Sequence, residues 1–150
     1  MSILRSLATS LILLCAFSCV ACSLGEQGPL PADVKCELAA DKYMNVAGTY
    51  QVKSAVDKKE CGEGSEKNEF EATVEQNACN VTLRFAGVAF KGVLKDKTAL
   101  LNGSYESLGT VTKEIKLNFT DKSFSGEEKW TYEGAGTKCI GTGTFTATKN

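Results

Sequence analysis

The chain contains no histidine, and of its 17 basic residues only Arg5 and Arg84 are arginines. Without an imidazole there is no Ser-His-Asp or Cys-His arrangement, and no side chain that ordinarily shuttles protons near neutral pH. A Cys/His zinc site loses its usual ingredients as well. The lysines are interleaved with 18 acidic residues, whereas a nucleic-acid surface gathers Arg and Lys on one face. Neither nucleic acid, a metal nor a cofactor is therefore expected. Carboxylate pairs remain for acid/base chemistry, but Glu127 and Glu128 are adjacent and would point to opposite faces of a strand. Glu69 and Glu71 share a face and read as solvent-facing charges. No catalytic residue is expected, and the chain reads as a non-enzyme.

What the sequence does have begins at the N-terminus. Arg5 is followed by a mostly apolar run to Val20 and then by small residues suited to cleavage, the pattern of an export signal. A membrane span is disfavoured, because Thr9, Ser10 and Ser18 interrupt the apolar core and it falls short of the ~20 residues a span requires. Cys19-Val20-Ala21-Cys22 resembles a bacterial lipobox, in which small residues precede a cysteine that receives a diacylglycerol chain. Ala16-Phe17-Ser18-Cys19 is a second candidate. The resemblance implies a signal peptide over 1–21, lipidation at Cys22 and a protein anchored in the cell envelope, at the outer membrane or cell surface. Ordinary cleavage after Ala21 or Ser18 would instead leave a soluble secreted domain.

Residues 22–45 read as a lipid-anchored tether and N-terminal segment. Both prolines of the chain, Pro29 and Pro31, lie here with Gly25 and Gly28, and such composition discourages regular structure. Val34, Leu38 and Asp41 fall at helical spacing, so a short helix or turn is expected within Ala32 to Met44.

From 46 to 150 the grammar changes to alternating polar and apolar residues between turn formers, the mark of an antiparallel all-β domain. Eight runs are expected, near 46–56, 68–76, 80–86, 88–94, 98–106, 110–120, 124–133 and 138–148. Phe70, Ala72 and Val74 share one face, as do Val81, Leu83 and Phe85, and Ile115, Leu117 and Phe119. Short connections such as Lys95-Asp96-Lys97 and Ser107-Leu108-Gly109 imply hairpins. A meander of eight strands can remove its exposed edges by closing on itself. An eight-stranded up-and-down barrel is therefore expected, with a two-sheet β-sandwich as the alternative.

The four cysteines that follow Cys22, namely Cys36, Cys61, Cys79 and Cys139, form no Cys-x-x-Cys pair. An even number in an exported chain points to disulfides. In a closed meander Cys61 follows the first strand at the end where Cys139 opens the eighth. Cys79 lies at the opposite end, where Cys36 precedes the first strand. The expected pairs are Cys61 with Cys139 and Cys36 with Cys79.

Gly48-Thr49-Tyr50, opening the first strand, resembles the Gly-x-Trp start of lipocalins and related calycins, with Tyr50 in place of tryptophan. Family members carry an arginine near the last strand that packs on that ring; here the nearest basic residue is Lys149. The resemblance implies an eight-stranded barrel able to hold a small apolar ligand. Glu128, Trp130 and Tyr132 share a face by period-two counting, so an inward acid beside two aromatic rings forms a candidate ligand pocket. A plainer reading makes the rings core packing and lets Glu128 reach solvent at a strand end or bulge. The chain thus reads as a monomeric, non-catalytic binding module, with an interaction module for extracytoplasmic proteins as the alternative. A protease inhibitor or a host- or envelope-contact protein would be of that kind, using the loop between Asp57 and Lys67.

Overall fold

A computed structural model describes residues 26–57 and 65–150. Eight strands follow one another as β1 (Gly48–Asp57), β2 (Ser65–Asn77), β3 (Asn80–Phe85), β4 (Val88–Lys95), β5 (Thr98–Glu106), β6 (Thr110–Phe119), β7 (Ser123–Gly134) and β8 (Thr137–Lys149). Each pairs antiparallel with the next, and β8 returns to β1 to close a barrel. Closure satisfies the backbone groups that an open meander would leave on two edges, and the sandwich alternative falls away. Two turns, Ala86-Gly87 and Ala135-Gly136, have positive φ at both residues. That conformation matches the twist of the flanking strands in a two-residue hairpin.

The alternation sorts side chains as the period-two pattern requires. On β8, Cys139, Gly141, Gly143, Phe145 and Ala147 are buried while Lys138, Ile140, Thr142, Thr144, Thr146 and Thr148 are exposed. We call the rim where β1 begins the lower rim and the one where it ends the upper. In the lower half, Tyr50, Phe119 and Phe124 meet as a trio with centroids 5.0 to 6.4 Å apart. Val74, Val81, Leu94, Ala99 and Leu117 fill the space around them. Val46 closes this end from below, its carbonyl accepting from the Tyr50 hydroxyl at 2.8 Å. The Gln76 amide ties the plug to the wall, accepting from Val46 N–H and donating to the Met44 carbonyl.

Cys36 and Cys79 form a disulfide at the lower rim, with Cα atoms 5.6 Å apart, as the barrel topology led us to expect. Cys139 is also disulfide-bonded; its expected partner, Cys61, lies outside the described residues. So do residues 1–21, expected as a signal peptide, with Cys19, and Cys22.

In the segment before β1 the expected short helix or turn is present at its shortest. The only helix among the described residues is one 3-10 turn, Ala40–Lys42. Val34 and Leu38 remain 46% and 56% exposed, so the apolar positions have no surface to bury against and packing cannot stabilise a longer helix. From Glu26 the proline- and glycine-rich stretch lies along the barrel without a helix or strand of its own. Gly28 N–H donates to the Ser104 carbonyl and Glu106 N–H to that of Glu26. Lower down, Asp33 pairs with Lys91 at 2.6 Å before the chain reaches Cys36. Gln27 fills a gap at the top of β4 and β5, whose register begins only at Lys91 and Asn102. Its side chain accepts from Ala89 N–H at 2.6 Å and donates to the Ser104 carbonyl at 2.7 Å.

Candidate functional site

Strand β7 sends Phe124, Glu128, Trp130 and Tyr132 to the interior, so the three residues singled out from sequence do share the inner face. Glu128 does not reach solvent: it is 2% exposed. Room for it comes from β8, where Gly143 is its register partner. A Cβ at Gly143 would lie 2.9 Å from both Glu128 Cγ and Oε1. Gly141, opposite Trp130, serves the indole in the same way, since a Cβ there would collide with ring atoms Cζ2 and Cε2.

A carboxylate this deep requires a partner, because an unpaired buried charge is far more costly than a paired one. Lys113 supplies it. Its ammonium donates to both Glu128 oxygens, at 2.9 and 3.1 Å. Lys113 is opposite Trp130 in the β6–β7 register, two pairs above Ile115 and Glu128, so the ion pair is a cross-strand diagonal. Its ammonium also lies 6.0 Å from the centroid of Phe85 across the interior. Sequence reasoning missed this lysine. The signal was present, because counting back by two from Phe119, Leu117 and Ile115 arrives at Lys113.

Aromatic rings surround the pair. Phe70, Phe85, Phe90 and Tyr105 pass from ring to ring at 4.9, 5.3 and 6.5 Å along β2 to β5. Burial, and after it the charge of Glu128, push the Tyr105 phenol above its ordinary pKa. The Trp130 indole N–H is buried and finds no acceptor among the described residues. Tyr132 differs, since its hydroxyl donates to the Leu108 carbonyl at 2.9 Å and fixes the β5–β6 turn. Of the three expected pocket residues, then, Glu128 and Trp130 belong to the polar interior and Tyr132 to its rim.

Outside, two adjoining grooves of about 520 and 470 Å³ run over the wall of β5 to β8. Glu114, Lys129 and Thr142 line both, with Leu100 at one end and Ile140 at the other. At the lower rim, the Lys149 ammonium lies 5.8 Å from the centroid of Tyr50. No family model, curated protein or solved structure matches the chain.

Chemically, the upper interior offers one free indole donor, aromatic walls, and a cation and an anion that neutralise each other. That set suits the apolar body and hydrogen-bond acceptor of a small molecule.

Proposed function

We propose that this chain is an exported lipoprotein, acylated at Cys22, whose disulfide-bonded barrel is a non-catalytic binding module of the cell envelope. Its ligand is a small, mainly apolar molecule carrying an uncharged hydrogen-bond acceptor, held in the upper barrel beside Glu128 and Trp130. The observation that carries this reading is the Trp130 N–H, buried without an acceptor. Leaving a buried donor unpaired costs on the order of 1–3 kcal/mol, which a ligand oxygen would recover. The ligand's polar group is uncharged because Glu128 already neutralises Lys113, so a carboxylate entering the site would meet the Glu128 charge with no spare cation. The placement of Lys149 over Tyr50 supports the calycin-like reading, since the family's arginine occupies the comparable position on its tryptophan.

Trp130 is the sole tryptophan, so its emission reports on this site alone. Titration with dodecanol is expected to change that emission saturably, and dodecanoate of equal chain length to do so only weakly. No response to dodecanol would overturn the interior site. An inert Trp130 would favour the second reading, a protein contact on the outer grooves, where Leu100 is 59% and Ile140 43% exposed.

A further inference from the structure

Strand β4 breaks the inside-outside alternation of the barrel at Ala89. Its register partner on β3 is Arg84, whose guanidinium pairs with Glu75 on the outer surface, so Ala89 faces outward as well. Yet Ala89 is 2% exposed and lies between the buried Val88 and Phe90. What covers it is the N-terminal strap, residues 26–36.

The strap also completes the wall. Going up the barrel, the β4–β5 ladder stops at Lys91 and Asn102, and above that level the two strands form a seam. On one side the strap pairs with β5: Gln27 bridges to Tyr105, Gly28 N–H donates to the Ser104 carbonyl at 2.9 Å, and Glu106 N–H donates to the Glu26 carbonyl at 3.1 Å. On the other side the Gln27 side-chain amide takes the place of a peptide group. It accepts from Ala89 N–H at 2.6 Å and donates to the Ser104 carbonyl at 2.7 Å, so one side chain spans the seam. Phe90 and Tyr105 flank the seam from inside, their ring centroids 6.5 Å apart. From Phe90 the aromatic series continues to Phe85, whose ring faces the Lys113 ammonium.

Two properties make the strap the part of this wall that opens first. Polar contacts hold it: no residue from 26 to 36 is buried, and Pro29 and Pro31 have no N–H to pair. Segments with few buried apolar contacts open at a lower free-energy cost than packed strands. The lower end of the strap, by contrast, is fixed by the Cys36–Cys79 disulfide, with the Asp33–Lys91 pair above it. A strap that lets go at Gln27 therefore stays attached beside the seam and can return to it.

We propose that the strap is a gate: release of Gln27 from Ala89 and Ser104 opens the β4–β5 seam and admits the apolar ligand between Phe90 and Tyr105 to the interior beside Trp130. The proposal rests on the interior ligand site argued under the preceding heading. Such a gate sets how fast the ligand enters and leaves but changes affinity little, because the strap is closed both before and after passage.

Two variants move the gate in opposite directions. Gln27→Ala removes both bonds across the seam. Gly28→Cys/Ser104→Cys fastens the strap to β5, since a Cβ on Gly28 would lie 3.2 Å from Ser104 Cβ, a few tenths of an ångström short of the usual disulfide spacing of about 3.5–4.5 Å. Both are compared with the unaltered full chain by rapid mixing with dodecanol, read by Trp130 emission, after peptide mapping confirms the added disulfide. Association and release should both be several-fold faster in Gln27→Ala and about tenfold slower in the fastened protein, with dissociation constants within about twofold of one another. Rates untouched by the fastening would overturn the gate and assign entry to the upper mouth of the barrel, leaving the interior site standing. No Trp130 response in any of the three proteins would overturn the interior site and the gate with it. Amide hydrogen exchange reads the opening without ligand. Ala89 and Glu106, both bonded to the strap, should exchange at one common rate, faster than Leu117 in the packed wall, and slow down in the fastened protein. Ala89 as protected as Leu117 in the unaltered chain would overturn the gate.

Discussion

Both halves of the barrel are enclosed by the same eight strands, yet they fill their interiors by different means. The lower half is packed with apolar side chains around Tyr50, Phe119 and Phe124, and the Tyr50 hydroxyl is satisfied by the plug at Val46. The upper half admits a lysine, a glutamate and a tryptophan, and does so through Gly141 and Gly143 on β8. A small eight-stranded barrel can fill its interior entirely with its own side chains. The upper half does so with a buried ion pair and an indole N–H that has no acceptor among the described residues. Burial of an ion pair is weak evidence for stability, since apolar residues of similar volume often serve as well.

The contrast is sharpest when one residue is removed from each half. Lys113→Met leaves Glu128 buried without its partner and is expected to cost about 3–5 kcal/mol in urea unfolding at neutral pH. Adding Glu128→Gln should return most of that loss, because the neutral pair carries no desolvated charge. In the lower half, Phe124→Ala should cost a similar ~3–5 kcal/mol through its cavity. Adding Phe119→Ala there should deepen the loss. If the Lys113→Met/Glu128→Gln protein is no more stable than Lys113→Met alone, the upper half is held by packing as the lower half is.

A smaller effect is expected at the glycine that makes room for the carboxylate. Gly143→Ala places a methyl 2.9 Å from Glu128 Cγ and Oε1 and should cost about 1–3 kcal/mol by overpacking. The loss should disappear when Glu128 is replaced by Ser, a coupling that a double-mutant cycle measures directly. An undiminished cost in the Glu128→Ser background would mean that Gly143 is needed by the backbone of β8 and not by the side chain opposite.

These cases also show which parts of the molecule are legible in the chain. Alternation and turn residues are local properties, so the strands, their order and the closure of the barrel follow from them. The Cys36–Cys79 bond follows in turn from strand direction, because up-and-down closure assigns each cysteine to a rim. The inward placement of Glu128 and Trp130 needs only period-two counting. What the glutamate pairs with needs the register between β6 and β7, which local pattern leaves open. Lys113 is accordingly a residue whose face could be counted and whose partner could not. Gln27 was beyond counting of any kind, since its contacts at Ser104 and Ala89 are 77 and 62 residues away. At Val34 and Leu38 helical spacing exists but the barrel offers those side chains no surface, so the expected helix or turn is limited to Ala40–Lys42.

The subtlest difference between the halves is electrostatic, and two tyrosines report it. Burial holds the Tyr50 phenol above its ordinary value of 10.0 in the lower half, and burial together with the Glu128 carboxylate does the same for Tyr105 in the upper. The folded protein thus retains both phenolic protons at a pH where the unfolded chain, with its ordinary tyrosines, gives them up. Stability from these groups is complete below about pH 10 and declines as pH rises through the unfolded value toward the folded one. Only the Tyr105 contribution depends on a neighbouring charge. In the Lys113→Met/Glu128→Gln protein, where the carboxylate is gone and no unpaired charge remains, Tyr105 should titrate at lower pH while Tyr50 stays where it was. NMR of ring-labelled tyrosine across the alkaline range distinguishes the two. Equal movement of both, or of neither, would show that the field of Glu128 does not reach Tyr105, and the polar chemistry of the upper barrel would shrink to the ion pair itself.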